Sequence, residues 1–375
     1  MRLLTATLAF SLTAPLFAAE LGDPSSVKSS VVAHEWGTFT SVAGADGDPV
    51  RWDALTGPPE LPCFVNVWHV VTKSGVSGLV RMETPVLYFY SSRPTKLSVD
   101  VQFPLGTITE WYPDASIAGG AHLHYDSVEL TPGPDLAYPL PAGQSRYFAA
   151  RNTDATPLKI GDQVEKMIFY RGVGGFAIPL RPKFTDDGKI QIRNVSQDRI
   201  PLVIVFENRS GKVGYRIETD VQETVIDPPE LNGPELNGAT AVIKDAIVKA
   251  LIARGGLYPK EAQAMIDTWQ DSWFEEGMRV IYILPQRQVD AVLPLTIQPG
   301  PVETTRAFVG RIEMLSSAMK QNMENAMASG DTAALEKFGR FVGAFAPRTD
   351  GGSNAVYRKA VANVQSKVNV GACVR

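Results

Sequence analysis

The sequence predicts an α+β protein with an antiparallel β-sandwich-like N-terminal region and a helix-rich, mixed C-terminal region. Short β-favouring runs separated by glycine, proline and aspartate occupy residues 30–225, without the strand–helix alternation of a parallel sheet. The apolar spacing changes to a helical period after residue 239. A composition of 44% hydrophobic and 20% charged residues is typical of a chain with packed cores.

The first twenty residues have the pattern of a secretory signal peptide. Arg2 precedes an apolar stretch at residues 3–17, and Ala18 and Ala19 supply the small residues of a cleavage site. We expect residues 1–19 to be removed and the mature protein to be bacterial and periplasmic or secreted. Since no later segment reaches about 20 consecutive apolar residues, the mature chain is expected to have no membrane span.

The β-rich region, residues 30–225, contains several strand and hairpin signals. Strands are predicted at 86–90, 97–103 and 107–112, and the second places its apolar residues on one face at period two. Hairpin turns are predicted at Asp187-Gly188 and at Ser210-Gly211. Many short strands with tight turns favour a sandwich or a barrel.

A proline- and glycine-rich segment at residues 226–238 predicts a linker between the β-rich domain and a mixed helical domain at residues 239–375. The linker is followed by an amphipathic helix that ends at Gly255 and by a second helix from Pro259 to Gly277. Together they predict an αα-hairpin.

Beyond the helical hairpin the sequence returns to strand at residues 278–285 and 307–315, and the remaining tail is helical. The methionines of this tail, Met314, Met319, Met323 and Met327, lie four or five residues apart. This spacing predicts a stripe that faces the core.

The charge of the chain limits the kinds of molecule that it is expected to bind. The net charge of −4, without a long run of lysine or arginine, argues against nucleic acid and anionic membranes as partners.

The chain has two cysteines, Cys63 and Cys373, and export to an oxidising compartment favours a disulfide between them. The alternative is two unpaired thiols.

All four histidines lie in the first third of the chain. In the segment AHLHYD a strand would place His122, His124 and Asp126 on one face, since residues two apart share a face. Two imidazoles and a carboxylate are suitable ligands for Zn²⁺, Cu²⁺ or Fe²⁺, and His34 or His69 would complete the site from a neighbouring strand. The alternative is a polar, solvent-facing strand.

The segment HEWGT places a base and an acid side by side. It is not a zincin motif, because position 38 is threonine where a second histidine is needed. In a strand His34 and Trp36 share one face, and Glu35 and Phe39 share the other. A structural role for this strand is therefore favoured over catalysis.

Acidic residues next to aromatic ones suggest glycoside chemistry, which needs two carboxylates and aromatic platforms for sugar rings. The candidate catalytic residues are Glu35 and Glu110, with Glu83 and Asp114 as further candidates. The alternative is that the aromatic residues fill cores while the acids solubilise the edges.

Three segments, HEWGTFTSVAG (34–44), METPVLYFYS (82–91) and TWQDSWFEEGMRVIYILP (268–285), resemble an uncharacterised family of exported bacterial proteins. The resemblance extends over most of the mature chain and implies export, but no activity, cofactor or catalytic residue.

Three functions remain open. The first is a noncatalytic binding or interaction protein of the cell envelope, whose ligand or protein partner the sequence does not identify. The second is a metal-dependent enzyme or metal-binding protein that uses the clustered histidines. The third and weakest is a carbohydrate-active hydrolase.

Overall fold

The computed structural model describes residues 30–55, 61–68, 77–139, 145–231, 236–350 and 354–366. The predicted signal peptide, His69 and Cys373 lie outside the described residues. The signal peptide and the disulfide between Cys63 and Cys373 therefore stay predictions.

The strands, in chain order, are β1 (Val32–Val42), β2 (Trp52–Asp53), β3 (Asn66–Val67), β4 (Ser77–Gly78), β5 (Val80–Met82), β6 (Val86–Tyr90), β7 (Thr95–Gln102), β8 (Gly106–Tyr112), β9 (Ser116–Ala118), β10 (His122–Leu130), β11 (Leu158–Ile160), β12 (Gln163–Glu165), β13 (Ile168–Gly174), β14 (Leu180–Phe184), β15 (Ile190–Asn194), β16 (Ile200–Arg209), β17 (Lys212–Val221), β18 (Glu223–Ile226), β19 (Gly277–Leu284), β20 (Leu295–Gln298) and β21 (Glu303–Met314). The α-helices are α1 (Leu236–Ala253), α2 (Pro259–Trp273), α3 (Gln286–Val292), α4 (Ser317–Ser329), α5 (Thr332–Glu336), α6 (Val342–Phe345) and α7 (Ala355–Ser366).

The predicted α+β class is confirmed, with a strand-rich N-terminal region and helices in the C-terminal part. A 10-stranded sheet has the order β17-β16-β19-β21-β1-β5-β13-β8-β3, and β6 pairs with β1 and β13. A 6-stranded sheet has the order β12-β11-β10-β7-β20, with β9 beside β10. Smaller sheets are formed by β14-β15-β18 and by β2-β4.

The large sheet differs from the predicted antiparallel arrangement at one pair of strands. β1 pairs in parallel with β21 along its whole length, and His34 lies opposite Thr305. On its other side β21 pairs with β19, and β19 in turn pairs with β16. Strands from both sides of the segment at 226–238 therefore share one sheet, and this segment does not separate two independent cores as the linker prediction implied.

The large sheet is buried on both faces, and β1 shows this most clearly. Trp36 packs in a cluster with residues of α1 and α2, such as Ile247 and Trp269, on one face. Phe39 packs on the opposite face, in the cluster that also contains Leu123 of the 6-stranded sheet. The alternation predicted for HEWGT is confirmed, because side chains two apart along a strand share a face.

The helical hairpin α1–α2 is confirmed, with small differences at its ends. Gly256 rather than Gly255 adopts the left-handed conformation after α1, at φ +75°. Pro259 is the first residue of α2 as predicted, and the Glu261 side chain accepts a hydrogen bond from the Tyr258 N–H at the start of the helix. α2 ends at Trp273, before the predicted Gly277, because Gly277 begins β19 and pairs with Asn208.

Both predicted hairpins are present. Gly188 has φ +80° in the turn between β14 and β15. Ser210 and Gly211 have φ 52° and 82° in the two-residue loop between β16 and β17. Positive φ at both central residues is the requirement of a type I′ turn.

The C-terminal helices pack against the core through the predicted methionine stripe. Met319, Met323 and Met327 of α4 are buried, and Met314 at the end of β21 is buried with them. Among the residues that the structure describes, none of the helices has the length and apolar character needed to cross a membrane.

Candidate metal centre

Two strands of the 6-stranded sheet bring two histidines and an aspartate together. β10 pairs antiparallel with β7, which places His124 opposite Asp100 and His122 opposite Gln102. Asp100 Oδ1 lies 2.7 Å from His122 Nε2 and 2.8 Å from His124 Nδ1. A single carboxylate oxygen is therefore shared by two imidazole rings.

The period of the two strands explains why these polar side chains point outward. Leu123 and Tyr125 alternate with the histidines on β10, and Val99 and Val101 flank Asp100 on β7. All four apolar residues are buried in the core between the sheets. Because neighbouring side chains in a strand point to opposite faces, burial of these four turns the polar residues towards solvent.

Asp126 contacts the other side of the same cluster. Its Oδ1 lies 2.6 Å from His124 Nε2, so the ring of His124 is held between two carboxylates. The register between β10 and β7 shifts after Tyr125, where a bulge separates Asp126 from the regular ladder. Asp126 therefore orients His124 from the side opposite Asp100.

Hydrogen bonds within the cluster shift the pKa values of His124 and Asp100. Hydrogen bonds to Asp126 and then to Asp100 raise the pKa of His124 above its ordinary value. Partial burial acts to raise the pKa of Asp100, but the hydrogen bonds from His122 and His124 outweigh it and lower that pKa overall. The carboxylate stays ionised, as a metal ligand must be.

The geometry is compatible with a bound divalent metal. The ligand atoms of Asp100, His122 and His124 all lie within 4.8 Å of one another. A metal with ligand bonds of about 2.0 to 2.2 Å fits between them after small movements of the side chains. The exposed fractions of the three side chains, 25%, 41% and 31%, leave room for water or a further ligand in the remaining coordination positions.

The structure brings the predicted ligands His122 and His124 together and adds Asp100 as the third ligand. It corrects the predicted role of Asp126, which contacts the other nitrogen of the His124 ring and lies outside the group of ligand atoms. Sequence reasoning missed Asp100 because it lies on another strand, 22 residues before His122. The only local signal was a single acid among the apolar residues of LSVDVQF. His69 lies outside the described residues, so its predicted role as a ligand stays a prediction.

His34 does not join the pair on β10, which corrects its predicted role as a ligand. It lies in the 10-stranded sheet, on the face covered by α2, and its Nδ1 donates to Glu261 Oε2 at 2.8 Å. Glu261 also accepts hydrogen bonds from the Tyr90 hydroxyl and the Tyr258 N–H. The ring of His34 packs 4.4 Å from that of Tyr258, so His34 anchors the start of α2.

The candidate catalytic residue Glu35 is fully buried and is held by two partners. Tyr170 donates a short hydrogen bond to Oε1, and Arg306 Nε lies 2.7 Å from Oε2. A glycosidase acid needs access to the substrate and a proton to give. Glu35 has instead the surroundings of a structural ion-pair partner.

The second candidate, Glu110, accepts from Arg81 Nη2 at 3.1 Å and from the Thr109 hydroxyl. Burial acts to raise the pKa of Glu110, but Arg81 and Arg171 lower it overall. A general acid of a glycosidase has a raised pKa. The direction of the Glu110 shift therefore does not suit that role.

The neighbouring residue Glu83 lies in the same network of charges. Arg340 Nη1 is 2.6 Å from Oε1 and Arg171 Nη2 is 3.1 Å from Oε2. Burial acts to raise the pKa of Glu83, but the guanidinium groups of Arg340, Arg171 and Arg81 lower it to about 2. Glu83 is therefore an ionised, arginine-bound residue inside the fold.

No protein-family model matches the chain, and comparison with curated proteins finds no significant match. The resemblance to a family of exported bacterial proteins therefore stays a prediction. Function has to be argued from the geometry of the chain itself.

Proposed function

We propose that this protein is an exported metal-binding protein that holds a divalent transition metal through Asp100, His122 and His124. The observation that carries the proposal is the sharing of Asp100 Oδ1 by two imidazole nitrogens at 2.7 and 2.8 Å. A cation that accepts lone pairs from all three groups can replace the protons that now join them.

Asp126 supports the same proposal. A metal-ligating histidine usually directs its other ring nitrogen to a carboxylate, which fixes the tautomer and the orientation of the ring. With Nδ1 of His124 directed towards Asp100, Nε2 lies 2.6 Å from Asp126 Oδ1. His124 thus has the arrangement of a ligand that is oriented in advance.

The donor set limits the choice of metal. Two imidazoles and one carboxylate suit Zn²⁺, Cu²⁺ or Fe²⁺ better than Ca²⁺ or Mg²⁺, which prefer oxygen ligands. Among the candidates, affinity for a site of this kind is expected to be highest for Cu²⁺. Three protein ligands leave coordination positions for solvent or for a donor from a partner.

The N-terminal sequence supports the exported part of the proposal, because residues 1–19 have the pattern of a secretory signal peptide. A binding role is favoured over hydrolysis. Glu35 and Glu110 are both engaged by arginine, and their surroundings give no support to a role in glycoside chemistry.

The test is a titration with ZnCl₂ of the mature, tag-free protein after treatment with a chelator, followed by calorimetry. We expect one zinc ion per chain for the wild type. Asp100→Asn and His124→Ala should each weaken binding by about 100-fold or more, since the first removes the only negative charge among the three ligands and the second removes an imidazole. Glu129→Gln is the matched control, because Glu129 is an exposed carboxylate on the same strand.

Two results would contradict the proposal. One is a wild-type protein that takes up neither Zn²⁺ nor Cu²⁺. The other is an Asp100→Asn variant that binds zinc as tightly as the wild type while Glu129→Gln also does.

A further inference from the structure

A second polar site lies away from the histidine cluster, over the small sheet β14-β15-β18. A cavity of about 370 Å³ opens there, within the size range of small-molecule sites. It is lined by Asp46, Arg181, Lys183, Gln191, Arg193 and Glu223.

The register of this sheet places the cationic side chains on one face. Arg181 of β14 lies opposite Arg193 of β15, and Lys183 lies opposite Gln191. The intervening residues are buried: Leu180, Pro182, Ile190 and Ile192. Because residues two apart in a strand share a face, the polar side chains all face the cavity.

Two of these cations form no side-chain ion pair with any residue that the structure describes. Like charges directly opposite each other in a sheet are destabilising. Arg181 is compensated, since its Nε lies 2.5 Å from Asp48 Oδ1. The side chains of Lys183 and Arg193 make no hydrogen bond or ion pair within the described part of the chain.

The carboxylate that lies opposite Arg193 in the strand register is hydrogen-bonded to a different residue. Glu223 of β18 lies opposite Arg193. Its Oε1 accepts a hydrogen bond from Gln191 Nε2 at 2.8 Å, and Glu223 forms no ion pair within 4.0 Å among the residues described. The lining thus carries three cations and two carboxylates, and the two cations without an ion pair are suited to an anionic ligand.

We propose that this cavity binds a small phosphorylated polyol or sugar, with the phosphate held between Lys183 and Arg193. The guanidinium of Arg193 can donate two parallel hydrogen bonds to a phosphate, and the ammonium of Lys183 adds a point charge. Asp46 and Glu223 accept hydrogen bonds from the hydroxyl groups, since ionised carboxylates only accept. The cavity is larger than a phosphate ion needs, which leaves space for the polyol.

The test uses glycerol 3-phosphate as the probe, in calorimetry at low ionic strength with EDTA present, so that the histidine site is not involved. We expect saturable binding of one molecule per chain. The double variant Lys183→Gln/Arg193→Gln should bind at least about tenfold more weakly, because it loses charge-assisted hydrogen bonds. Lys212→Gln, which removes an exposed cation of the 10-stranded sheet, should bind as the wild type does.

Weaker binding of inorganic phosphate than of glycerol 3-phosphate supports the hydroxyl contacts. A wild type that shows no saturable binding up to about 10 mM of either probe overturns the proposal. So does a double variant that binds like the wild type. Thermal unfolding checks that the double variant is folded, which we expect because Lys183 and Arg193 are not buried.

Discussion

Two histidine–carboxylate pairs of this protein have the same chemistry and the same contact distance but opposite surroundings. His34 and Glu261 are 2.8 Å apart and 1% and 0% exposed. His124 and Asp100 are also 2.8 Å apart but 31% and 25% exposed. Contact distance alone therefore does not distinguish a structural pair from a ligand site.

The difference lies in what else the carboxylate contacts. Glu261 accepts from His34, from the Tyr90 hydroxyl and from the Tyr258 backbone, so both its oxygens are engaged inside the core. One oxygen of Asp100 is shared by two imidazoles at the surface. The first arrangement leaves no position for another atom, whereas the second lies at the surface, where the proposed metal would replace the protons that join the groups.

The buried ion pairs of the core resemble the His34–Glu261 pair. Glu35 with Arg306, Glu83 with three arginines, and Glu313 with Arg279 and Arg311 are all enclosed by the large sheet and its helices. Removal of one partner leaves an uncompensated charge in the core, which costs far more than removal of an exposed charge. Four predictions test this contrast, from the largest effect to the smallest.

Glu35→Gln should lower the free energy of unfolding by about 3 kcal/mol, because Arg306 loses its buried counterion and keeps only its ion pair with the half-exposed Asp290. The measurement is urea unfolding at pH 7. Glu129→Gln is the exposed control and should change stability by less than about 0.5 kcal/mol. A loss below about 1 kcal/mol for Glu35→Gln would contradict a structural role for this pair.

The lowered pKa of Glu83 predicts that acid reduces the free energy of unfolding. Its pKa is about 2 in the fold and 4.5 ordinarily. The stability it contributes is therefore complete above about pH 5 and is lost as the pH falls towards 2, a difference of about 3 kcal/mol. The gap in unfolding free energy between wild type and Glu83→Gln should narrow over this range, as urea unfolding at several pH values measures. A constant gap from pH 5 to pH 3 would show that the pKa of Glu83 is not lowered.

Asp126→Asn should weaken zinc binding by about 10- to 100-fold without changing its stoichiometry, because Asp126 orients a ligand and is not one. Calorimetric titration measures both quantities. An unchanged affinity would mean that Asp126 has no part in the site, and Glu129→Gln again serves as the control on the same strand.

His122→Ala should change the free energy of unfolding by less than about 0.5 kcal/mol in the presence of EDTA, since His122 lies on the surface. Zinc at about 100 times its dissociation constant should stabilise the wild type by about 2.7 kcal/mol. The variant should gain much less at the same zinc concentration. Thermal unfolding with and without zinc measures both effects, and an equal gain for the variant would argue against His122 as a ligand.

Local patterns in the sequence were sufficient for much of the fold. The period-two strands, the type I′ turn at Ser210-Gly211, the helix start at Pro259 and the methionine stripe all depend on residues close in the chain. The grouping of His122, His124 and Asp126 was predictable for the same reason, because all three lie on one strand.

The tertiary structure alone decided which residues meet across long separations. Asp100 reaches the histidines through the register of β7 and β10, and Glu261 meets His34 across 227 positions of the chain. The parallel pairing of β1 with β21 likewise joins strands whose paired residues are 271 positions apart in the chain. Side-chain periodicity is a property of a single strand, but strand pairing depends on burial and register across the whole molecule, which no local pattern contains.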